Sequence, residues 1–105
     1  MSETGSQDAA ARAQVRDAPQ QHRYELVLDD RVVGVADYRL DEAAGVLSVP
    51  HVEVEPALRG GDLGSVLARG VLDDVRRRSL KVRPLCPFMA LYLRRHPDDA
   101  DLVAG

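Results

Sequence analysis

Sulfur and aromatic rings are scarce in this chain of 105 residues, which has one cysteine, one phenylalanine, three tyrosines and no tryptophan. A single cysteine cannot close an intramolecular disulfide, so no disulfide framework staples the fold, and a cytoplasmic address is the expectation. Lysine is nearly missing too, with Lys81 alone among fourteen basic side chains. The net charge of -3 leaves no broad basic field. Nucleic acid and anionic membrane surfaces are therefore not expected partners, whereas a small molecule or a protein is. No apolar run is long enough to span a bilayer or resembles the core of a signal peptide. No Cys/His spacing suggests a metal site.

What is present is apolar enough for one core. Residues 1–21 hold scarcely a large apolar side chain among Ala, Gln, Ser and Asp, and such a stretch cannot offset the entropy of its own ordering. A disordered tail over 1–21 and one domain over 22–105 are the expectation. From His22 the texture changes. YELVLDDRVVGVADYRL holds two β-branched and aromatic runs around Asp29-Asp30, a hairpin signal. Asp41 to Gly45 reads as a second turn, and VLSVPHVEVE alternates as a third strand with His51, Glu53 and Glu55 on one face and Val52 and Val54 on the other.

Leu63, Val66, Leu67, Val71, Leu72 and Val75 recur at helical spacing, while Asp73, Asp74 and Arg76 to Arg78 fall off that stripe. Gly70 inside the helix costs about 1 kcal/mol relative to alanine, which implies that something packs closely against it. Leu80 to Leu85 predicts a fourth strand parallel to the third, because a helix bridges them as in a βαβ crossover. Phe88 to Arg95 then predicts a second helix stopped by Pro97. The order β-β-β-α-β-α is an α/β class with one mixed sheet.

Between the third strand and the first helix lies RGGDLGS, Arg59 to Ser65. A glycine-rich turn feeding a helix N-terminus offers unpaired N–H groups and a positive dipole to an anion. Equally, Gly60, Gly61 and Gly64 can serve only to make a tight turn. Asp62 in its middle would accept from the same N–H groups as an N-cap and would repel a phosphate. Cys86 precedes Pro87 and would cap the second helix, either as an activated thiolate or as a small buried hydrophobe. His51 is a candidate base beside Pro50, with Glu53 on its face in reserve; both can equally be solvent-side polar residues. His96 reads as a helix-end histidine, and the run Arg76, Arg77, Arg78, Lys81 and Arg83 as a solvated face.

The stretches VPHVEVEPALRGGDLGSVLARGVLDDVR and VRPLCPFMALYLRRHPDDADLV together resemble the GNAT superfamily of acyl-CoA-dependent N-acetyltransferases, specifically its small Yjdj-type members. The resemblance runs from Tyr24 to Val103. It rests on a strand with His-x-Glu-Val (His51, Glu53), a pyrophosphate loop (Arg59, Gly60, Leu63, Gly64, Ser65) and a Cys-Pro-aromatic motif (Cys86, Pro87, Phe88) ahead of Pro97. Asp62 departs from it, where the family pattern has glycine. The resemblance implies a GNAT-like fold and acetyl-CoA as co-substrate, with no metal. Contacts to it are expected from Val54, Arg59, Gly60, Gly61, Asp62, Leu63, Gly64 and Ser65, and backbone N–H groups near Val52 to Glu55 would polarise the thioester. Catalysis is expected from Cys86, His51 and Glu53, by direct transfer to an amine or through an acetyl thioester on Cys86 assisted by His51. The alternative is a binding module of the same fold in which Asp62 has abolished tight CoA binding.

Overall fold

The computed structural model describes residues 5–105. A short helix α1 (Gly5–Arg12) leads into strand β1 (Gln14–Ala18), and β2 (Arg23–Leu28), β3 (Arg31–Asp41) and β4 (Val46–Val54) follow as a meander. Helix α2 (Leu63–Arg77) crosses over to β5 (Lys81–Pro84), and α3 (Pro87–Arg95) closes the order. From β2 onward this is the expected β-β-β-α-β-α. The sheet runs β1-β2-β3-β4-β5, antiparallel except for the parallel pair β4–β5. At the hairpin, Asp29 and Asp30 both take positive φ, 52° and 64°, which is the condition for a type I′ turn.

The expected tail is corrected. Only residues 1–4 lie outside the described residues; residues 5–21 carry a helix, a 3₁₀ turn and β1, which pairs residue for residue with β2 from Gln14↔Val27 to Ala18↔Arg23. One side chain shows why so polar a segment orders. A Cβ built on Gly70 would lie 2.5 Å from the Cβ of Val15 and 2.6 Å from its Cγ2. The close packing implied by that glycine is therefore real, and the packed partner is β1. Composition missed the strand because its backbone bonds come from β2 and its one large apolar residue has a cavity waiting on α2.

Helix α2 buries Leu63, Leu67, Ala68, Val71, Leu72 and Val75 against the sheet, while Val66 stays half-buried. Asp74 is buried as well, contrary to its place off the stripe. It is satisfied there: the Tyr24 hydroxyl donates to Asp74 Oδ2 at 2.6 Å, Arg78 Nη1 donates to the same oxygen at 3.2 Å, and Arg77 pairs with Oδ1. Burial foremost, with the Asp17 charge second, pushes the Tyr24 hydroxyl up to about 12. Asp99, also buried, accepts two bonds from Arg69 (2.6 and 3.0 Å) and one from Arg76 (3.2 Å), fastening the last turn to α2. Its carboxyl is held below the usual carboxylate range, first by the Arg69 hydrogen bonds. Arg76, Arg77 and Arg78 of the basic run are thus paired internally with carboxylates, and Lys81 donates to the Asp101 carbonyl at 2.6 Å.

The feature that positions the site is a bulge in β4. Asp37 pairs with His51 but Arg39 pairs with Ser48, so Tyr38 alone stands opposite both Val49 and Pro50. One extra residue reverses the alternation of a strand. Leu47 and Val49 point into the core before it, Val54 is buried and Val52 half-buried after it, and His51 and Glu53 face outward. The β4–β5 pairing ends at the same place, with Val49↔Pro84. Beyond it the two strands part.

Gly70→Ala is expected to destabilise the protein by about 1–3 kcal/mol, because overpacking against Val15 outweighs the helix propensity gained. Adding Val15→Ala to that variant should recover part of the loss. Urea unfolding of the single and double variants checks both, and a stabilised Gly70→Ala would mean that β1 does not rest on α2.

Candidate functional site

Where β4 and β5 separate, a groove of about 270 Å³ opens, lined by Val52, Glu53, Val54, Leu58, Arg59, Gly60, Gly61, Gly64 and Phe88. One wall is the free edge of β4. Glu55 N–H donates to the Val33 carbonyl at 2.9 Å, so Glu55 faces β3; by strand alternation the backbone groups of Val52 and Val54 face the groove. The expected N–H stretch is thereby narrowed, since Glu55 is already spent. The Val54 carbonyl accepts from Arg59 Nε at 3.0 Å, which folds the guanidinium back across the groove's edge.

The opposite wall is the glycine turn. Gly60 adopts φ 93°, a left-handed value that favours glycine, whereas Asp62 has φ -93°, open to any residue. Asp62 therefore departs from the family pattern without backbone strain. It stands at the N-cap of α2, but its side chain makes no cap hydrogen bond, is exposed, and lies outside the groove lining. The expected competition for the first-turn donors is corrected on this point. Val66 N–H makes the first helical bond, to the Asp62 carbonyl at 3.0 Å, so the N–H groups before it have no helical acceptor and no side-chain cap. Gly64 supplies closeness: a Cβ there would sit 3.0 Å from Phe88 Cζ. Leu63 is a core residue and Ser65 is exposed; neither lines the groove.

His51 and Glu53 meet on the outward face of β4, each side chain about half exposed, with His51 Nε2 3.0 Å from Glu53 Oε1. A carboxylate only accepts, so the pair fixes the imidazole with its proton on Nε2 and leaves Nδ1 as an acceptor. Cys86 does cap α3, with Pro87 as the first helical residue, and its Sγ accepts from Met89 N–H at 3.4 Å. It is nonetheless buried at 5 % exposure. Its backbone N–H and that of Leu85 both donate to the Val49 carbonyl, at 3.1 and 3.0 Å, which ties α3 to the bulge. The structure joins His51 to Glu53 and Cys86 to Met89; no hydrogen bond joins His51 to Cys86.

The sequence placed Val52 only at the start of the expected N–H stretch, did not point to Leu58 as a groove residue, and gave Phe88 no site role. For Phe88 a signal existed in the sequence, the chain's one phenylalanine standing directly after a Cys-Pro helix start; in the structure its ring is 38 % exposed. His96 ends α3 as expected, stacked on Tyr92 at 3.9 Å and bonded through Nδ1 to the Tyr92 carbonyl at 2.7 Å. Among the described residues no cluster of His, Cys, Asp and Glu has a metal-holding arrangement, and no helix is long and apolar enough to cross a membrane.

A family model described as GCN5-related N-acetyl-transferase matches residues 23–102. Among solved structures, a GCN5-like candidate N-acetyltransferase from Staphylococcus aureus superposes with a TM-score of 0.65 at 18% identity, covering 90% of this chain and 91% of that one. N-acetylglutamate synthase from Neisseria gonorrhoeae, solved with coenzyme A and N-acetyl-glutamate, gives a TM-score of 0.58 at 13% identity over 85% of this chain and 26% of the synthase. Both likenesses are of fold. No curated protein is a significant match.

Cys86 in the native protein is expected to react with a small disulfide reagent at least tenfold slower than in denaturant, because burial limits access. His51→Ala should leave that native rate unchanged, since the imidazole is engaged with Glu53. A fast native reaction that slows in His51→Ala would instead place the two side chains in one unit.

Proposed function

Because the chain belongs to the GCN5-related N-acetyl-transferase family, we propose that it moves an acetyl group from acetyl-CoA to an amine at the open edge of β4. The observation that carries this reading is the groove between the free strand edge and an uncapped helix N-terminus approached through glycines. These residues fit the co-substrate. Gly60 takes the left-handed backbone of the turn with open space around it, Gly64 lets the turn close on Phe88, the first-turn N–H groups of α2 are without acceptors, and the Arg59 guanidinium stands at the same rim. When bound, acetyl-CoA supplies an acetyl group activated as a thioester.

The chain's own part is to orient and to move a proton. Val52 and Val54 present backbone groups along the groove, where an N–H can polarise a carbonyl as charge develops on it. His51 Nδ1 takes the proton from the attacking amine while Glu53 stabilises the resulting imidazolium through Nε2–H. Direct transfer is the reading that the His51–Glu53 pair favours. A route through Cys86 draws on one observation, its place as acceptor at the N-terminus of α3; it requires that the buried thiol become reachable. The interaction-module alternative rested on Asp62, which turns out to be neither strained nor directed into the groove.

Calorimetric titration with acetyl-CoA tests the cradle. Saturable binding is expected, and Asp62→Gly should change the affinity by less than about threefold, because the exposed carboxylate lies outside the groove lining and solvent screens it. Absence of binding at millimolar acetyl-CoA would overturn the transferase reading and return the chain to the class of interaction modules. In turnover assays that follow CoA thiol release with amines present, His51→Ala should lower kcat by about 10²-fold while leaving acetyl-CoA affinity intact.

A further inference from the structure

Beside the groove, on the outward face of the sheet, the β4 bulge leaves a second cleft of about 490 Å³, lined by Gln21, His22, Asp37, Tyr38, Arg39 and Pro50. Its last residue on β4 is Pro50 and the groove's first is Val52. His51 stands between them. Asp37 is its direct cross-strand partner, a position that brings the two side chains within about 5.5 Å at Cβ.

Three chargeable side chains of this cleft are uncommitted. Most of the protein's charges are spent internally; on the same sheet face Arg16 and Arg23 both bind the buried Glu25 at 2.8 to 2.9 Å. Asp37, Arg39 and His22, by contrast, make no side-chain hydrogen bond or ion pair among the described residues, although they share one concavity. His22 is also held there in an unusual backbone state. Its φ is 56°, its N–H donates to the Pro19 carbonyl at 3.1 Å, and its carbonyl accepts from Tyr38 N–H at 2.9 Å. A non-glycine residue fixed in the left-handed region beside a cleft is a position where the surrounding structure holds a side chain in place.

We propose that this cleft is the acceptor site and that it selects an amine that also carries a carboxylate, such as a free amino acid; this rests on the transferase reading above. Both signs of charge are on the cleft wall. Asp37 and, beyond His51, Glu53 attract the ammonium form and bring it against the imidazole. Arg39, with His22 near it, receives the carboxylate, a planar match for a guanidinium. The bound ammonium first gives one proton to solvent; the neutral amine nitrogen then bonds to the acetyl carbon, its second proton passes to His51 Nδ1, and the carbon–sulfur bond breaks with CoA leaving as the thiolate. A simple amine would meet only half of this site, and a lysine side chain within a protein would bring no carboxylate to Arg39.

Two measurements test this separately from cofactor binding. First, the imidazole resonances of the three histidines are followed by NMR while lysine, and then its decarboxylated counterpart cadaverine, is added without acetyl-CoA. Lysine should shift His22 and His51 and leave His96 still, and cadaverine should do so at least tenfold more weakly; equal effects, or none, overturn the proposal. Second, with acetyl-CoA present, free amino acids and their decarboxylated amines are compared as acceptors. At least tenfold higher kcat/KM is expected for the better amino acids, and Arg39→Ala should erase that ratio through KM, while Arg39→Lys restores part of it. Decarboxylated amines or lysine-containing peptides that match or exceed the amino acids would overturn the acceptor assignment. If acetyl-CoA does not bind at all, the transferase reading fails, and the NMR titration still reports whether the cleft takes the zwitterion.

Discussion

The site depends on one extra residue in β4. With Val49 and Pro50 both opposite Tyr38, the strand reverses its faces and ceases to pair with β5 in the same step. Proline suits the position, since it has no N–H to contribute to a ladder and is tolerated at bulges. The Val49 carbonyl left over is not wasted: it accepts from both Leu85 and Cys86, which holds the start of α3 beside the point of divergence. Without the bulge, His51 and Glu53 would project into the core.

Around that opening the protein is fastened by charges placed under cover. Asp74 gathers Tyr24 from β2 and Arg77 and Arg78 from the end of α2, and Tyr38 donates to Asp17 of β1 at 2.7 Å. Asp99 does the same for the C-terminal turn. A buried carboxylate with two or three donors is tolerable where an unpaired one is not. These ties explain how a sheet with four ring-bearing Phe and Tyr residues in the entire chain still holds its end elements in register, and they engage Arg69, Arg76, Arg77 and Arg78 internally.

Charged and polar groups also gather around the two openings. Arg59 bends back to a strand carbonyl at the groove's rim, the first-turn amides of α2 await an acceptor, and His22, Asp37 and Arg39 surround the cleft across the bulge. His51 is bonded to Glu53 of the groove and paired across strands with Asp37 of the cleft. In the proposed transfer the groove at the α2 N-terminus takes the acetyl donor and the cleft of mixed charge takes the acceptor, which brings two different molecules to one opening in the sheet.

The sequence by itself determined the local structures and the family. The Asp29-Asp30 turn, the stripe from Leu63 to Val75, the Cys86 cap and the order of elements are set by short-range rules of φ, periodicity and missing donors, which operate within a few residues. Tertiary structure decided the rest, because it depends on what stands opposite. Whether residues 14–18 form a strand turns on β2 and on the space above Gly70; whether Asp74 is buried turns on Tyr24. Asp62 illustrates the same division: its identity suggests a cap, but its orientation is fixed by the turn through Gly60. Likewise, His51 pairs with Glu53 and not with Cys86 because a bulge, invisible in an alternating run, parts the two strands between them.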